Sequence, residues 1–276
     1  MSRALVLGGG GVTGVAWEIG VLAGLAEAGV DLAAADLVVG TSAGSVVAAQ
    51  LTSGIPVEDM YARQLAGPGA EVAARMRTGA LLRWLAALVT TRDPVKARVR
   101  IGRLALRART MPEAERRAVI EARLPVRDWP PRRLLITAVD AVSGEFRAFD
   151  RDSGVSIVDA VGASCAVPGV WPPVTIDGRR WIDGGARSAA NVDLAAGCER
   201  VVVLAPLAGG IGPAPGVGRQ ARELRGASVA VVSPDAAAKQ AIGRNVLDPA
   251  RRGPAARAGR EQAARAAAAV AATWSG

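Results

Sequence analysis

Three observations predict an α/β fold for this chain of 276 residues. Ala4-Leu5-Val6-Leu7 is a short apolar run that enters four consecutive glycines and then a helical pattern. Asp36-Leu37-Val38-Val39 repeats the design: it meets Gly40-Thr41-Ser42-Ala43-Gly44, after which Ala43 to Leu51 is small, apolar and free of proline. Strand-like runs then return at Leu134 to Val139 and, as buried strands, at Val201 to Leu204 and Val229 to Val232. Strands alternating with helices in this way form an α/β sheet. The length allows one large α/β domain or two small ones. With no internal repeat and no disordered linker, a single domain over 1–276 is expected, carrying a helical, lid-like insertion over the sheet edge at about 55–133.

In chain order, the first strand gives way to a helix from about Val15 to Ala28. Trp17, Val21, Leu22 and Leu25 recur in it at helical spacing, and Gly29 closes it. From Ile55 to Arg133 the character changes. Leu81, Leu82, Trp84, Leu85 and Leu88 fall on one helical pattern, and Val95, Val99, Leu104 and Leu106 on another, among arginines. Pro112, with Glu113 and Glu115 in the first turn, opens a further helix to Leu124. Leu134 to Val139 resumes the sheet, Ser143-Gly144-Glu145 turns it, and Phe146 to Phe149 is the partner strand. Ile157 to Ser164 is a short helix, and Val174 to Ile182 a hairpin across Asp177-Gly178, a strong two-residue turn. That hairpin delivers Asp183-Gly184-Gly185 at a strand end. The Arg- and Ala-rich C-terminal stretch suggests a surface helix over Glu261 to Ala272.

Composition narrows the chemistry. Only 3% of residues are aromatic, so the core must be Ala, Val and Leu with scattered Trp. Cys165 and Cys198 are too few for a disulfide framework and lack metal-ligand spacing, which suits a reducing compartment. Ala4 to Leu7 is too short for a signal-peptide core, and no later run approaches ~18 apolar residues, so a soluble, cytoplasmic protein is expected. Histidine is absent, which excludes a Ser-His-Asp triad, a Cys-His pair and any His-ligated metal. Of the 34 basic residues only Lys96 and Lys239 are lysines. Such Arg and Ala bias accompanies GC-rich coding and weakens any functional reading of the arginine count; no nucleic-acid partner is expected.

Two glycine-framed turns carry candidate chemistry. Gly40-Thr41-Ser42-Ala43-Gly44 fits G-x-S-x-G, the sharp strand-to-helix turn that lifts a serine hydroxyl clear of a sheet; the plainer reading is a tight βα turn. The glycine run leaves backbone N–H groups free at a helix N-terminus. Gly9-x-Gly11-x-x-Gly14 matches the dinucleotide fingerprint, the same amides could hold an oxyanion, and close helix–strand packing would also ask for glycine. A serine hydroxyl needs a base, and without histidine a carboxylate bonded directly to Ser42 is the simplest solution. Asp183 is the best candidate, because the two following glycines leave it unshielded. A turn aspartate bonding its own backbone is the bland alternative.

Taken together, Gly-Gly-Gly-x-x-Gly, then Gly-x-Ser-x-Gly, then a distant Asp-Gly-Gly resemble the patatin-like phospholipase family. Ala163-Ser164-Cys165-Ala166-Val167-Pro168-Gly169 with Pro172-Pro173-Val174 is similar to the segment preceding that family's aspartate. The resemblance covers residues 1–55 and 134–205 well and the Arg-rich middle poorly. It implies a three-layer α/β/α fold with a mainly parallel sheet and a metal-independent serine acyl hydrolase that needs no cofactor. By position, Ser42 corresponds to the nucleophile, Asp183 to its base, and Gly9, Gly10 and Gly11 to the oxyanion loop. Thr13 stands where the family usually has Arg or Lys, which bears on a preference for phospholipids. The expected substrate is a lipid ester: phospholipid, lysophospholipid or acylglycerol.

Two rival readings stay open beside it. A nucleotide-binding enzyme would want an acidic residue ~20 positions beyond the glycines, at the end of the second strand; Asp31 and Asp36 precede that strand, and Gly40-Thr41-Ser42 ends it. A catalytically silent lipid- or anion-binding protein would instead use the basic insertion. Residues 63–133 hold 17 basic and 6 acidic residues, +11 net against +9 for the whole chain. Peripheral contact with an anionic membrane is one reading of that charge, and a solvated helical face the other. Oligomeric state is not read from the sequence.

Overall fold

The computed structural model describes residues 1–67, 71–75, 78–210 and 212–275. The chain runs β1 (Arg3–Leu7), α1 (Gly11–Glu27), β2 (Leu37–Gly40), α2 (Ala43–Thr52), α3 (Val57–Leu65), α4 (Thr78–Val89), α5 (Pro94–Arg107), α6 (Glu113–Arg123), β3 (Arg133–Asp140), β4 (Phe146–Phe149), α7 (Ile157–Ser164), β5 (Val174–Ile176), β6 (Arg179–Asp183), β7 (Arg200–Leu204), α8 (Val217–Glu223), β8 (Ser228–Val232), α9 (Ala236–Ile242) and α10 (Arg252–Ser275). Among the described residues no helix is long and apolar enough to cross a membrane.

One sheet takes all eight strands, in the order β5-β6-β3-β2-β1-β7-β8 with β4 added on β3. The pairs from β3 through β2, β1 and β7 to β8 are parallel, and those of β3 with β4 and β6, and of β5 with β6, are antiparallel. The register of β3 decides where the chemistry can be. Ile136 faces both Gly40 and Phe149, whereas Ala138 faces both Arg147 and Asp183. Thus β4 holds one edge of β3, while β2 and β6 share the other and meet head to head. The end of β2 leads into Ser42 and the end of β6 is Asp183.

Alternation along the buried strands sorts side chains onto two faces, as a pleated strand requires. Leu5, Leu7, Val38, Ile136 and Leu204 point into the larger core with α1, α2, α7 and α10. Ala4, Val6, Leu37, Val39 and Val203 point to the opposite face, towards α8 and the turn containing Val192. This is the three-layer, mainly parallel α/β/α arrangement. Close approach of α2 to the sheet depends on Gly44, where a Cβ would sit 2.1 Å from the Leu7 carbonyl oxygen. The Asp177-Gly178 turn has positive φ at both residues (49° and 73°), which suits the right-handed twist of the β5–β6 hairpin.

Three expectations need correction. The C-terminal helix is 24 residues long, not a short surface segment, and Ala255, Ala256, Ala263, Val270 and Trp274 are buried in it. Small residues let it lie tightly along α1: a Cβ on Gly20 would fall 2.0 Å from the Ala256 carbonyl oxygen. Its apolar face is built from alanine and glycine, so hydropathy alone hides it. Strand β8 is a half-exposed edge rather than a buried strand, because among the described residues only β7 pairs with it.

The third correction concerns the insertion, which wraps the site instead of lying over one sheet edge. Helix α5 packs Ala97, Ile101 and Ala105 against Val139 and Ile182 on one face. Helix α6 sends Ile120 and Leu124 into the large core on the other. Trp84 packs towards the α5 cluster. The side chains of Leu81, Leu85 and Leu88, and residues 68–70 and 76–77 of the insertion, lie outside the described residues.

Candidate active site

Ser42 occupies the turn between β2 and α2 with φ 53° and ψ −116°. Positive φ on a residue with a Cβ is strained, and surrounding bonds must hold it. They do so from α7. The Ser42 backbone N–H donates to Ser164 Oγ at 2.9 Å. The Ser42 carbonyl accepts from Ser45 Oγ at 2.6 Å and from Cys165 Sγ at 3.3 Å. Burial pushes the Cys165 thiol up, which keeps it a neutral donor.

Asp183 ends β6 and is 5% exposed. The Ser42 side chain lies near enough to its carboxyl to act on it as a donor that lowers its pKa. Its Oδ1 also accepts the Gly185 N–H at 2.7 Å, so the turn bond expected of Asp-Gly is present beside the serine contact. Burial raises the Asp183 carboxyl to about 7, outweighing the Ser42 and Gly185 donors that lower it. A carboxylate in this state can take and return a proton near neutrality, as an imidazole would elsewhere.

The glycine loop comes alongside. A Cβ built on Gly9 would lie 3.5 Å from Ser42 Cβ, and Gly11 lines the same cleft as Ser42. The three glycines differ, however. The Gly9 N–H donates to the Ala189 carbonyl at 2.7 Å, whereas the Gly10 and Gly11 N–H groups meet no acceptor among the described residues. Thr13 is buried and its hydroxyl donates to the Val246 carbonyl at 3.2 Å, a structural role.

Sequence reasoning missed the residues that join the two strand ends. Asn191 takes a left-handed conformation (φ 51°, ψ 47°). Its Nδ2 donates to Thr41 Oγ1 at 3.0 Å and to the Ser188 carbonyl at 3.1 Å. Thr137 Oγ1 on β3 lies 2.9 Å from Thr41 Oγ1. Asn191 follows Asp183-Gly184-Gly185 closely in sequence, but nothing local marks it as a bridge to Thr41, 150 positions away.

The insertion closes the cleft. Arg116 and Arg123 of α6 line it with Ser42, Cys165 and Trp171. About 20 Å³ is free there, room for about one water. An adjoining cavity of about 240 Å³ shares Val12, Val15 and Arg123 with it. Arg123 pairs with Glu71 at 2.5 Å. The Arg116 guanidinium lies 3.9 Å from the centre of the Trp171 ring. Burial, with the nearby Arg123 charge, lowers the Arg116 pKa to about 10, so it remains a cation at neutral pH.

The sequence matches the model of the family described as patatin-like phospholipase over residues 5–196. Among solved structures the chain is similar to VipD from Legionella pneumophila, with 13% identity and a TM-score of 0.48, over 97% of this chain and 67% of that one. It is also similar to the type III effector protein ExoU, with 15% identity and a TM-score of 0.46, over 98% of this chain and 53% of that one. The chain thus spans about two thirds of the first and about half of the second. No curated protein matches it.

Proposed function

This chain belongs to the patatin-like phospholipase family, and from that premise we propose that it hydrolyses lipid carboxylic esters with Ser42 as nucleophile and Asp183 as base. The family match supports lipid acyl hydrolase activity. The observation that carries the finer reading is the meeting of the β2 and β6 ends on β3, which sets Ser42, on a strained turn, beside a buried carboxyl whose pKa is raised to about 7.

In the proposed reaction the Ser42 Oγ–H proton passes to the Asp183 carboxylate as Oγ bonds to the acyl carbonyl carbon. The electron pair displaced onto the carbonyl oxygen is met by the Gly10 and Gly11 N–H groups, the loop amides without acceptors among the described residues. Collapse breaks the ester C–O bond, and Asp183 returns its proton to the leaving alcohol. Water then attacks the acyl-serine, again giving its proton to Asp183, and the acid leaves as Ser42 is reprotonated. No step calls for a metal or a cofactor.

The test is covalent labelling by a fluorophosphonate together with turnover of an ester panel. Labelling should map to Ser42 and vanish in Ser42→Ala. Asp183→Asn should lower turnover at least ~10³-fold while keeping the fold, a loss typical of removing the base that activates a nucleophile. Turnover should survive EDTA. Undiminished labelling of Ser42→Ala would remove the nucleophile from this reading.

We also propose that residues 63–133 contact anionic membrane peripherally. The support is the +11 charge of the segment together with exposed Leu82, Val89, Val95 and Leu106 on its helices.

A further inference from the structure

A buried cation with no ion-pair partner among the described residues is the least expected feature of the cleft. Arg116 is 5% exposed, and its Nε and Nη1 are buried with no hydrogen-bond partner among the described residues. Taking a guanidinium out of water is strongly unfavourable unless an anion or several acceptors replace the water. The neighbouring acids do not fill that role. Glu71 is held by Arg123, Asp183 accepts the Gly185 N–H beside Ser42, and the Cys165 thiol is kept neutral by burial. The glycine loop supplies no cation of its own, since Thr13 is turned to Val246.

Trp171 makes the arrangement specific. Its ring face lies against the guanidinium, which offsets part of the desolvation and fixes the plane of the cation without using any N–H donor. The donors therefore remain available, pre-oriented, in the cleft that holds Ser42. A fixed guanidinium with free N–H groups in a buried cleft is matched by a phosphate or carboxylate oxygen.

We propose that Arg116 is the anion-recognition residue of this cleft, binding a phosphate or carboxylate oxygen carried by the ester whose acyl group Ser42 attacks. The inference rests on the reading of Ser42 as nucleophile, and it makes the preferred substrate an anionic ester rather than a neutral glyceride. Helix α6 of the insertion thereby sets headgroup selectivity, while the strand ends carry the chemistry.

Octanoyl esters of glycerol 3-phosphate, lactate and glycerol separate the possibilities, since they share an acyl chain and differ in the charged group. Wild-type enzyme should favour at least one anionic ester over the glycerol ester by tenfold or more in kcat/KM. Which of the two anionic esters wins tells phosphate from carboxylate. Arg116→Gln should shrink that anionic-to-neutral ratio at least tenfold, chiefly through KM, and Arg116→Lys should restore part of it. A ratio unchanged in Arg116→Gln overturns the proposal.

Binding of dibutyl phosphate and of butyrate to Ser42→Ala, measured by calorimetry with and without Arg116→Gln, needs no turnover. Loss of Arg116 should weaken the preferred probe at least tenfold. Arg116-dependent binding without any Ser42-dependent turnover would refute the hydrolase reading and leave the anion site standing. Ser42-dependent turnover with Arg116-independent selectivity and binding would do the reverse. Should Arg116→Gln fail to fold, modification of Arg116 by phenylglyoxal in the native protein decides: protection by neither probe counts against the site.

Discussion

Ser164 Oγ accepts the backbone N–H of Ser42 at 2.9 Å, across 122 positions of sequence. The bond reaches from the end of α7 to the elbow and satisfies an amide that the strained turn withdraws from both strand and helix. Cys165, the next residue, bonds the carbonyl of the same serine. Both polar ends of the Ser42 backbone are therefore held by one helix terminus.

Ser164→Ala should consequently affect stability and the proposed nucleophile together. A buried donor left unpaired costs about 1–3 kcal/mol, and that loss is expected in urea unfolding. Fluorophosphonate labelling of Ser42 should slow as well, because the elbow relaxes. Ser164→Thr, which keeps the hydroxyl, should recover much of both; equal damage from the two variants would point to packing instead.

The pH profile should place an acid-side limb near 7. In the proposed reaction Asp183 must be ionised to accept the Ser42 proton, and burial holds its carboxyl at about 7. Thus kcat/KM should rise with pH through that value and then level, in a chain with no histidine to account for the limb. A single limb at ordinary aspartate pH, near ~4, would mean that Asp183 is more hydrated in solution.

Stability should move in the opposite sense to activity. The folded-state pKa of Asp183 is raised, so its neutral form favours the native state fully below the unfolded value of 3.8. That advantage is lost as pH rises through about 7. Three units at ~1.36 kcal/mol each make this a loss of about 4 kcal/mol. Glu18, fully buried in α1, is raised well above 4.5 by the same cause and has the same sign. Asp183→Asn should therefore flatten the fall in Tm between pH 5 and 8 while removing turnover.

The α1–α10 contact predicts a mutation that is severe without touching chemistry. Gly20→Ala places a methyl 2.0 Å from the Ala256 carbonyl oxygen, so one backbone must shift. Overpacking of this kind costs about 1–3 kcal/mol. Urea unfolding should show a loss at the top of that range. The control Gly226→Ala, at an open turn with φ 77°, tests ordinary left-handed strain and should cost less.

Membrane contact by residues 63–133 is tested by co-sedimentation with vesicles. Basic residues at an anionic surface contribute ~1 kcal/mol each and act within ~8 Å at physiological salt. Binding should appear with anionic lipid at low salt, weaken at high salt and be small with neutral lipid. Leu82→Asp and Val89→Asp should reduce it, since both side chains are exposed, at 61% and 65%. Equal, negligible binding in all conditions would leave the insertion as a cover for the cleft alone.

Much of this molecule is written locally. Gly-x-Ser-x-Gly between an apolar run and a small-residue helix, Asp177-Gly178 between two short strands and the absence of histidine are each readable where they stand, because they depend on neighbours in the chain. They were enough to indicate the α/β class, to single out Ser42 and Asp183, and to direct attention to a carboxylate base. Tertiary structure alone decided the rest. The register of β3 makes the ends of β2 and β6 meet, and burial sets Asp183 near neutrality. Ala189, far along the chain, occupies the Gly9 amide and leaves those of Gly10 and Gly11 without an acceptor among the described residues. Alanines that read as a solvated C-terminal helix become its buried face only because Gly20 admits them. Arg116 is one arginine among 32 in sequence; stacking on Trp171 without an acceptor is what distinguishes it. Burial, desolvation and partner choice are set by groups many residues apart, and local pattern carries no record of them.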